Sequence, residues 1–246
     1  MSERTSVLTL RLAGPLQSWG ASSRFARRTT ERAPTKSGVV GLLAAAQGRD
    51  RGADIADLAA LGFAVRLDQP GTRVRDYQTA HHADTDKSMP VSERFYLSDA
   101  VFVAAVEGGT DLIEALHAAV RSPVYLPFLG RRSCPPSRPV DLRVHRDGLW
   151  GALESEPWQA SAWVQRRRSR ERRVELEVIA DLPAGEGPGD AVRDRPLSFD
   201  PHHRRYGLRA VHSRAVTVPN PLGGSPSTSR RDFVPPKHDP MGLLED

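Results

Sequence analysis

Two short runs near the amino terminus hold the residue types that bind polyanions. The first is Gly14-Pro15-Leu16-Gln17-Ser18-Trp19-Gly20, and the second is Pro34-Thr35-Lys36-Ser37-Gly38, continuing through Gly41-Leu42-Leu43. Arg24, Arg27 and Arg28 lie between them. Glycine lets backbone approach a ligand because no Cβ stands in the way, and a guanidinium grips phosphate through two parallel hydrogen bonds. Lys36-Ser37 invites comparison with a triphosphate-binding loop. That loop needs glycine immediately before the lysine and another at its start, where this chain has Thr35 and Thr30, so the sequence argues against nucleotide hydrolysis. What remains is Lys36, the hydroxyls of Thr35 and Ser37, and the free amides of a helix N-terminus, all able to meet an anion.

A third run, Leu126-Pro127-Phe128-Leu129-Gly130-Arg131-Arg132-Ser133-Cys134-Pro135-Pro136, places an aromatic, a glycine and two arginines together. Phe128 suits base stacking, worth about 1–3 kcal/mol per base, with Arg131 and Arg132 on the backbone; the alternative is a surface turn with Phe128 in the core. Trp19 likewise suits either a stacked base or a core position. Arg166, Arg167, Arg168, Arg170, Arg172 and Arg173 form the densest charge cluster, either a solvated face or a track for a nucleic-acid backbone. Adjacent histidines on a strand point to opposite faces, so neither His81-His82 nor His202-His203 makes a natural metal clamp.

The bulk numbers bound these readings. The 246 residues, 39% hydrophobic and 26% charged, suit a globular chain. Net charge is +5 and the pI about 9.8, which favours an anionic partner. Only Lys36, Lys87 and Lys237 are lysine; a GC-rich coding composition also yields such a bias, so position must carry the inference. Cys134 is the only cysteine, which excludes an intrachain disulfide and a cysteine-based zinc site. With no signal-peptide-like segment and no bilayer-spanning run, the expected compartment is the cytoplasm, without membrane contact and with no cofactor.

The elements that must position these residues follow from periodicity. Val7–Leu12 alternates as a strand with one buried face. A helix begins near Thr35 or Ser37 and ends at Gly48, with Val39, Leu42, Leu43 and Ala46 as its apolar stripe and Gly38 and Gly41 allowing close approach to a sheet. Phe63, Val65 and Leu67 mark a second strand, and Val101–Val106 a central third. Thr110 caps a second helix whose core face is Ile113, Leu116 and Val120. Val140, Leu142 and Val144 mark a fourth strand. This β-α-β, β-α-β order is the split βαβ pattern of ferredoxin-like and RNA-recognition folds. Between the second and third strands, 69–99 is too long for a simple connection; its strand-like flanks, Arg73–Tyr77 and Val91–Leu97, predict a protruding β-hairpin. Val101–Val106 carries no RNP1-type aromatic sequence and is simply apolar, so RNA contact through the sheet face, the usual route, is not expected; loops and hairpin should make it. Beyond Arg146 the signals weaken to strands near 174–178 and 205–218.

Taken together, Leu10–Gly20, Pro34–Gly38 with Gly41-Leu42-Leu43, Arg75-Asp76-Tyr77-Gln78-Thr79, Arg94–Ala100 and Leu129–Pro135 resemble, in order, the motifs of the CasD family, the type I-E branch of the Cas-five group of CRISPR Cascade subunits. Arg193-Asp194-Arg195-Pro196 is a weaker echo. The resemblance implies an α+β fold: a modified ferredoxin-like, RNA-recognition-motif palm over 1–145 with a β-hairpin thumb inserted at about 70–99. A C-terminal β-rich extension over 146–218 and a mobile tail over 219–246 complete the expected organisation. It also implies a non-catalytic scaffold that binds the 5′ handle of crRNA. The implied neighbours are the CasC backbone subunit, the CasA large subunit and other Cascade subunits, with target DNA met only indirectly. Lys36, Arg94, Phe128 and Arg131 are the implied handle contacts, supported by Gln17, Ser18 and Arg132; Trp19, Arg27, Arg28, Thr35 and Ser37 complete the expected RNA-binding set. Phe128 stands where the family often has tyrosine, which keeps stacking and loses a hydroxyl. The rival is an endoribonuclease processing precursor crRNA, as in type I-C relatives, with Tyr77, His81, His82 and Lys87 as the imaginable acid–base set.

Overall fold

The computed structural model describes residues 4–20, 27–183 and 187–224. Arg24, the middle of the 183–189 loop and most of the expected tail, from 225 on, lie outside the described residues.

A seven-stranded, wholly antiparallel sheet is the frame of an α+β molecule. Its strands are β1 (Thr5–Ala13), β4 (Gly62–Gln69), β7 (Val101–Gly109), β8 (Asp141–His145), β9 (Arg173–Asp181), β10 (Asp190–Ser198) and β11 (Arg205–Pro219). They lie in the order β10-β11-β9-β4-β7-β1-β8. Helix α1 (Lys36–Ala46) lies between β1 and β4 in the chain, and α3 (Thr110–Arg121) between β7 and β8. The helices α2 (Ala56–Ala60), α4 (Gly148–Ser155) and α5 (Ala162–Arg167) are shorter. A smaller second sheet contains β2 (Leu16–Gln17), β3 (Arg27–Arg28), β5 (Thr72–Gln78) and β6 (Ser92–Ser98).

The seven-stranded sheet is covered on both faces. Leu8, Leu10 and Leu12 of β1 and Phe102, Ala104 and Val106 of β7 pack with the stripes of α1 and α3 in one core. Val7, Val103 and Ala105, pointing the other way, meet Ala152, Leu153, Trp158 and Ala160 in a second core. A β1 with one solvated face was expected; instead even Thr9 is fully buried. The reason is the segment from α4 through Ala160, which the sequence pattern did not announce and which roofs that face. It is fastened by polar contacts. Arg66 and Asp68 of β4 form an ion pair with both side chains wholly buried, Arg66 Nε to Asp68 Oδ1 at 2.7 Å. Arg66 also donates to the carbonyls of Leu153, Glu156 and Pro157. Asp68 accepts from the Gln159 amide at 2.6 Å, and its own carbonyl from Trp158 Nε1 at 2.9 Å.

Local chemistry sets the helix ends. Thr35 caps α1, its hydroxyl accepting from the Gly38 amide at 3.2 Å, and Gly48 follows the helix with φ +76°, a left-handed conformation that glycine adopts at little cost. Gly38 serves a different neighbour than expected: a Cβ there would meet the Trp19 ring at 2.8 Å, whereas one at Gly41 would reach Phe199 at 3.7 Å, so neither glycine seats α1 on the sheet. Thr110 is the first helical residue of α3, not its cap. Its hydroxyl instead donates to the Arg4 carbonyl and meets Ser6 Oγ. The core face of α3, Ile113, Leu116 and Val120, is buried as expected.

Within 69–99, β5 and β6 pair in continuous register from Thr72 opposite Ser98 to Gln78 opposite Ser92. β2 pairs antiparallel with one end of β6 and β3 parallel with the other. The hairpin tip, residues 79–91, is exposed throughout.

Candidate nucleic-acid interface

The glycine-rich run of the first motif is a structural hub. Gln17 is fully buried; its amide donates to the carbonyls of Leu12 at 3.0 Å and Ala100 at 2.7 Å, while its Oε1 accepts from Trp19 Nε1 at 3.0 Å. Ser18 Oγ donates to the Phe95 carbonyl at 3.0 Å, tying the run to β6. The Ser18 amide donates to Leu129 O at 3.1 Å. Every polar atom of Gln17 is thus used internally, and the Trp19 ring is core, with no exposed surface.

Lys36 and the start of α1 meet an internal anion. The Lys36 amide donates to Asp194 Oδ2 at 2.8 Å, and its ammonium lies 3.0 Å from Asp181 Oδ2. Arg209 joins both carboxylates, with Nε to Asp194 Oδ1 at 2.5 Å and Nη1 to Asp181 Oδ1 at 2.7 Å. Burial works to lower the Arg209 pKa, but hydrogen bonds and charge from Asp194, with the Asp181 charge, outweigh it and raise it. The helix-end position favours a carboxylate because the N-terminal amides carry partial positive charge. Three strands remote in sequence, β9, β10 and β11, supply these partners, and no local pattern shows them. Thr35 and Ser37 are buried, Ser37 Oγ lying 3.4 Å from Thr35 Oγ1.

Beside this hub opens a cleft of about 1160 Å³. Of the expected residues, Arg28, Phe128, Arg131 and Arg132 line it, together with Ser18, Trp19, Thr35 and Ser37; Gln17, Arg27, Lys36 and Arg94 do not. Arg51, Tyr125, Phe199, Arg204 and Tyr206 line it too and escaped the sequence reading, because they come from four separate stretches of chain. The one available signal was the apolar Val124-Tyr125-Leu126, too hydrophobic for an idle loop; Leu126 is 84% exposed.

The third motif builds the cleft's cationic wall. Leu129 is fully buried in the core, whereas its neighbour Phe128 is half-buried at the cleft. The loop closes through Leu129 N to Cys134 O at 2.7 Å and Cys134 N to Arg131 O at 2.9 Å. Cys134 is itself buried, and burial pushes its thiol pKa up, so it behaves as packing. The Arg131 guanidinium stacks on Tyr96, 4.7 Å from the ring centroid, and donates from Nη2 to the Arg28 carbonyl at 2.9 Å. Its Nη1 is buried and has no hydrogen-bond partner among the described residues. Arg94 stands opposite Arg28 in the strand register, and its buried Nε likewise has no hydrogen-bond partner among the described residues. Buried N–H groups are nearly always satisfied; these two guanidinium donors are exceptions, Arg131 on the cleft wall and Arg94 on the strand beside Arg28. Arg27 lies on the other face of the small sheet, 5.4 Å from the Phe95 centroid and 3.9 Å from Glu93.

Gly130 has φ +83°, and a Cβ there would fall 1.8 Å from Ser18 O. Gly130→Ala is therefore expected to cost about 2 kcal/mol or more from the strained conformation and the clash. It should also displace Phe128 and Arg131 from the wall. Thermal unfolding of the variant checks this; an unchanged midpoint would show that the loop shifts freely.

Arginines and aromatic rings thus line one cleft on an α+β frame, a lining whose chemistry suits a polyanion. The family model described as CRISPR-associated protein (Cas_Cas5) matches residues 7–212, and this chain belongs to that family. The chain is 42% identical over 158 residues, 56% of this chain and 70% of the relative, to the CRISPR system Cascade subunit CasD of Escherichia coli (strain K12). Its fold is similar to a crystal structure of a Cas protein at 37% identity and TM-score 0.66, covering 88% of this chain and 97% of that one. It is also similar to a chain of a CRISPR RNA-guided surveillance complex at 32% identity and TM-score 0.70, covering 90% and 95%. No helix among the described residues is long and apolar enough to cross a membrane, and no group of potential metal ligands occurs among them.

Proposed function

We propose that this chain is the Cascade subunit that grips the 5′ handle of crRNA, as a non-catalytic scaffold, in the cleft beside α1. The observation that carries the reading is the pair of unsatisfied guanidinium donors, Arg94 Nε and Arg131 Nη1. In this reading β4-β7-β1-β8 with α1 and α3 is the RNA-recognition-like palm, the β5–β6 hairpin is the thumb, and β9–β11 extend the palm. Arg28, Arg94, Arg131 and Arg132 hold handle phosphates, and Phe128, with Tyr125 nearby, takes an unstacked base. Gln17, Ser18, Trp19, Thr35, Lys36 and Ser37 hold the wall in place from inside, which is what their burial supports. The CasC backbone subunit and the CasA large subunit are the proposed neighbours, with the thumb ordering against the former.

Tyr77, His81, His82 and Lys87, the candidate nuclease set, are all exposed on the hairpin and none lines the cleft. Such a place offers little desolvation to tune an acid–base pair.

The test is binding of a synthetic handle RNA across a salt series. Arg94→Ala with Arg131→Ala is expected to lower the log–log salt slope by about 1.4, two single-strand phosphate contacts. Phe128→Ala should weaken binding about tenfold with the slope unchanged. An unaltered slope in the double variant would refute the phosphate assignment; site-specific cutting of repeat RNA, lost in His81→Ala with His82→Ala, would establish the nuclease instead.

A further inference from the structure

The arginine run at 166–173 belongs to neither the cleft nor a core. We infer that α5 and the turn after it form a second surface for single-stranded nucleic acid, on the face of the molecule opposite the cleft. The cleft lies on the side of the seven-stranded sheet covered by α1, whereas α5 follows the Trp158–Ala160 segment that roofs the other side.

Helix α5 buries none of its residues. Trp163 is 52% exposed, and Arg166 and Arg167 follow it by three and four positions, on the same helical face. Trp158 already fills the core beneath, so packing does not account for a second indole. Of the arginines here, Arg168 is spent on Glu171 at 2.5 Å and on the Trp158 ring, and Arg173 on the Thr217 carbonyl. Arg166, Arg167 and Arg170 are exposed and their side chains make no ion pair or hydrogen bond among the described residues, and the same holds for Arg172 just before β9.

A merely solvated basic stretch needs no fixed shape, yet this one is held. Buried Asn220 donates from Nδ2 to Gln165 O at 3.2 Å and Arg168 O at 2.9 Å, closing the carboxyl end of α5. Gln165 Nε2 donates to Trp158 O at 3.1 Å and Ala160 O at 2.9 Å, and the Gly224 amide to Ser169 O at 2.9 Å. Three uncompensated guanidiniums beside an exposed indole, on a braced turn, fit a phosphodiester backbone with one base stacked on the ring. An acidic protein surface would satisfy the charges and leave the indole without a purpose.

The experiment uses the full chain with Arg94→Ala and Arg131→Ala, so that the cleft does not mask the second surface. Fluorescein-labelled oligouridylate and oligothymidylate of about a dozen nucleotides are titrated by anisotropy across a salt series. Adding Arg166→Ala, Arg167→Ala and Arg170→Ala is expected to lower the salt slope by about 2. Trp163→Ala should weaken binding about tenfold at unchanged slope, and Trp163→Phe should restore most of it. The two oligonucleotides separate RNA from DNA as the strand held. All four residues are exposed, so unfolding midpoints should not move. Equal affinity and slope with and without the added substitutions would overturn the inference, whatever the cleft variants show.

Discussion

Arg66→Met is expected to lower folding stability by about 3–5 kcal/mol, because it leaves a buried carboxylate uncompensated. Asp68 would stay wholly buried with its cation gone, and three carbonyls of the α4–Trp158 roof would lose their donor. The loss has a pH signature. Burial holds the Asp68 carboxyl above its ordinary range, opposed by the Arg66 charge and hydrogen bonds and by the Gln159 amide. A carboxyl with a raised folded pKa binds its proton more tightly in the folded state, so stability falls as pH rises from the unfolded pKa through the folded one. Without Arg66 that pKa rises further and the fall is larger. Urea unfolding should therefore show the gap between wild type and variant widest near neutrality and narrowing in acid. A gap independent of pH would mean that Asp68 finds another cation. Arg66→Met with Asp68→Leu should recover part of the loss, since a buried pair replaced by apolar groups costs less than a buried pair broken.

The second large effect is expected at Asp194. Asp194→Ala removes the acceptor of the Lys36 amide and two hydrogen bonds to Arg209, whose side chain is 9% exposed. Asp181 retains Lys36 and one nitrogen of Arg209, which limits the loss to about 3 kcal/mol. For a chain of this size that is a fall of about 6–12 °C in unfolding midpoint. Asp194→Asn keeps a neutral acceptor for the amide and should fall between the two. Because α1 carries Thr35 and Ser37 on the cleft wall, the alanine variant should also bind handle RNA more weakly. A destabilised variant with unaltered RNA affinity would show that the wall is set by the Gly14–Gly20 hub alone.

The legible part of the fold was the part written in local periodicity. The stripes of α1 and α3 and the positions of β4, β7 and β8 follow from side-chain spacing, since burial on one face imposes that spacing. The hairpin was legible from length, because a compact domain seldom carries a thirty-residue connection without structure of its own. The roof from α4 to Trp158 was not. Its contacts to β4 run through Arg66, Asp68 and backbone carbonyls, and a polar pair two residues apart reads as a solvated face until its burial is known.

In the candidate site, composition and spacing alone determined which residue types were present: glycines for close packing, arginines and an aromatic in the Leu126–Pro136 run, a helix start near Thr35 or Ser37, and the order of motifs that marks the family. Only the tertiary structure decided which of them face outward. Gln17, Lys36 and Trp19 carry groups that suit an RNA, yet their partners are Ala100, Asp181 and Gly38, brought from distant segments. Arg131 differs because Tyr96 and the Arg28 carbonyl hold it while leaving one donor unmatched. A sequence records what a side chain can bond to; only folding, by bringing some of those acceptors close and leaving others to an outside molecule, settles what it does bond to.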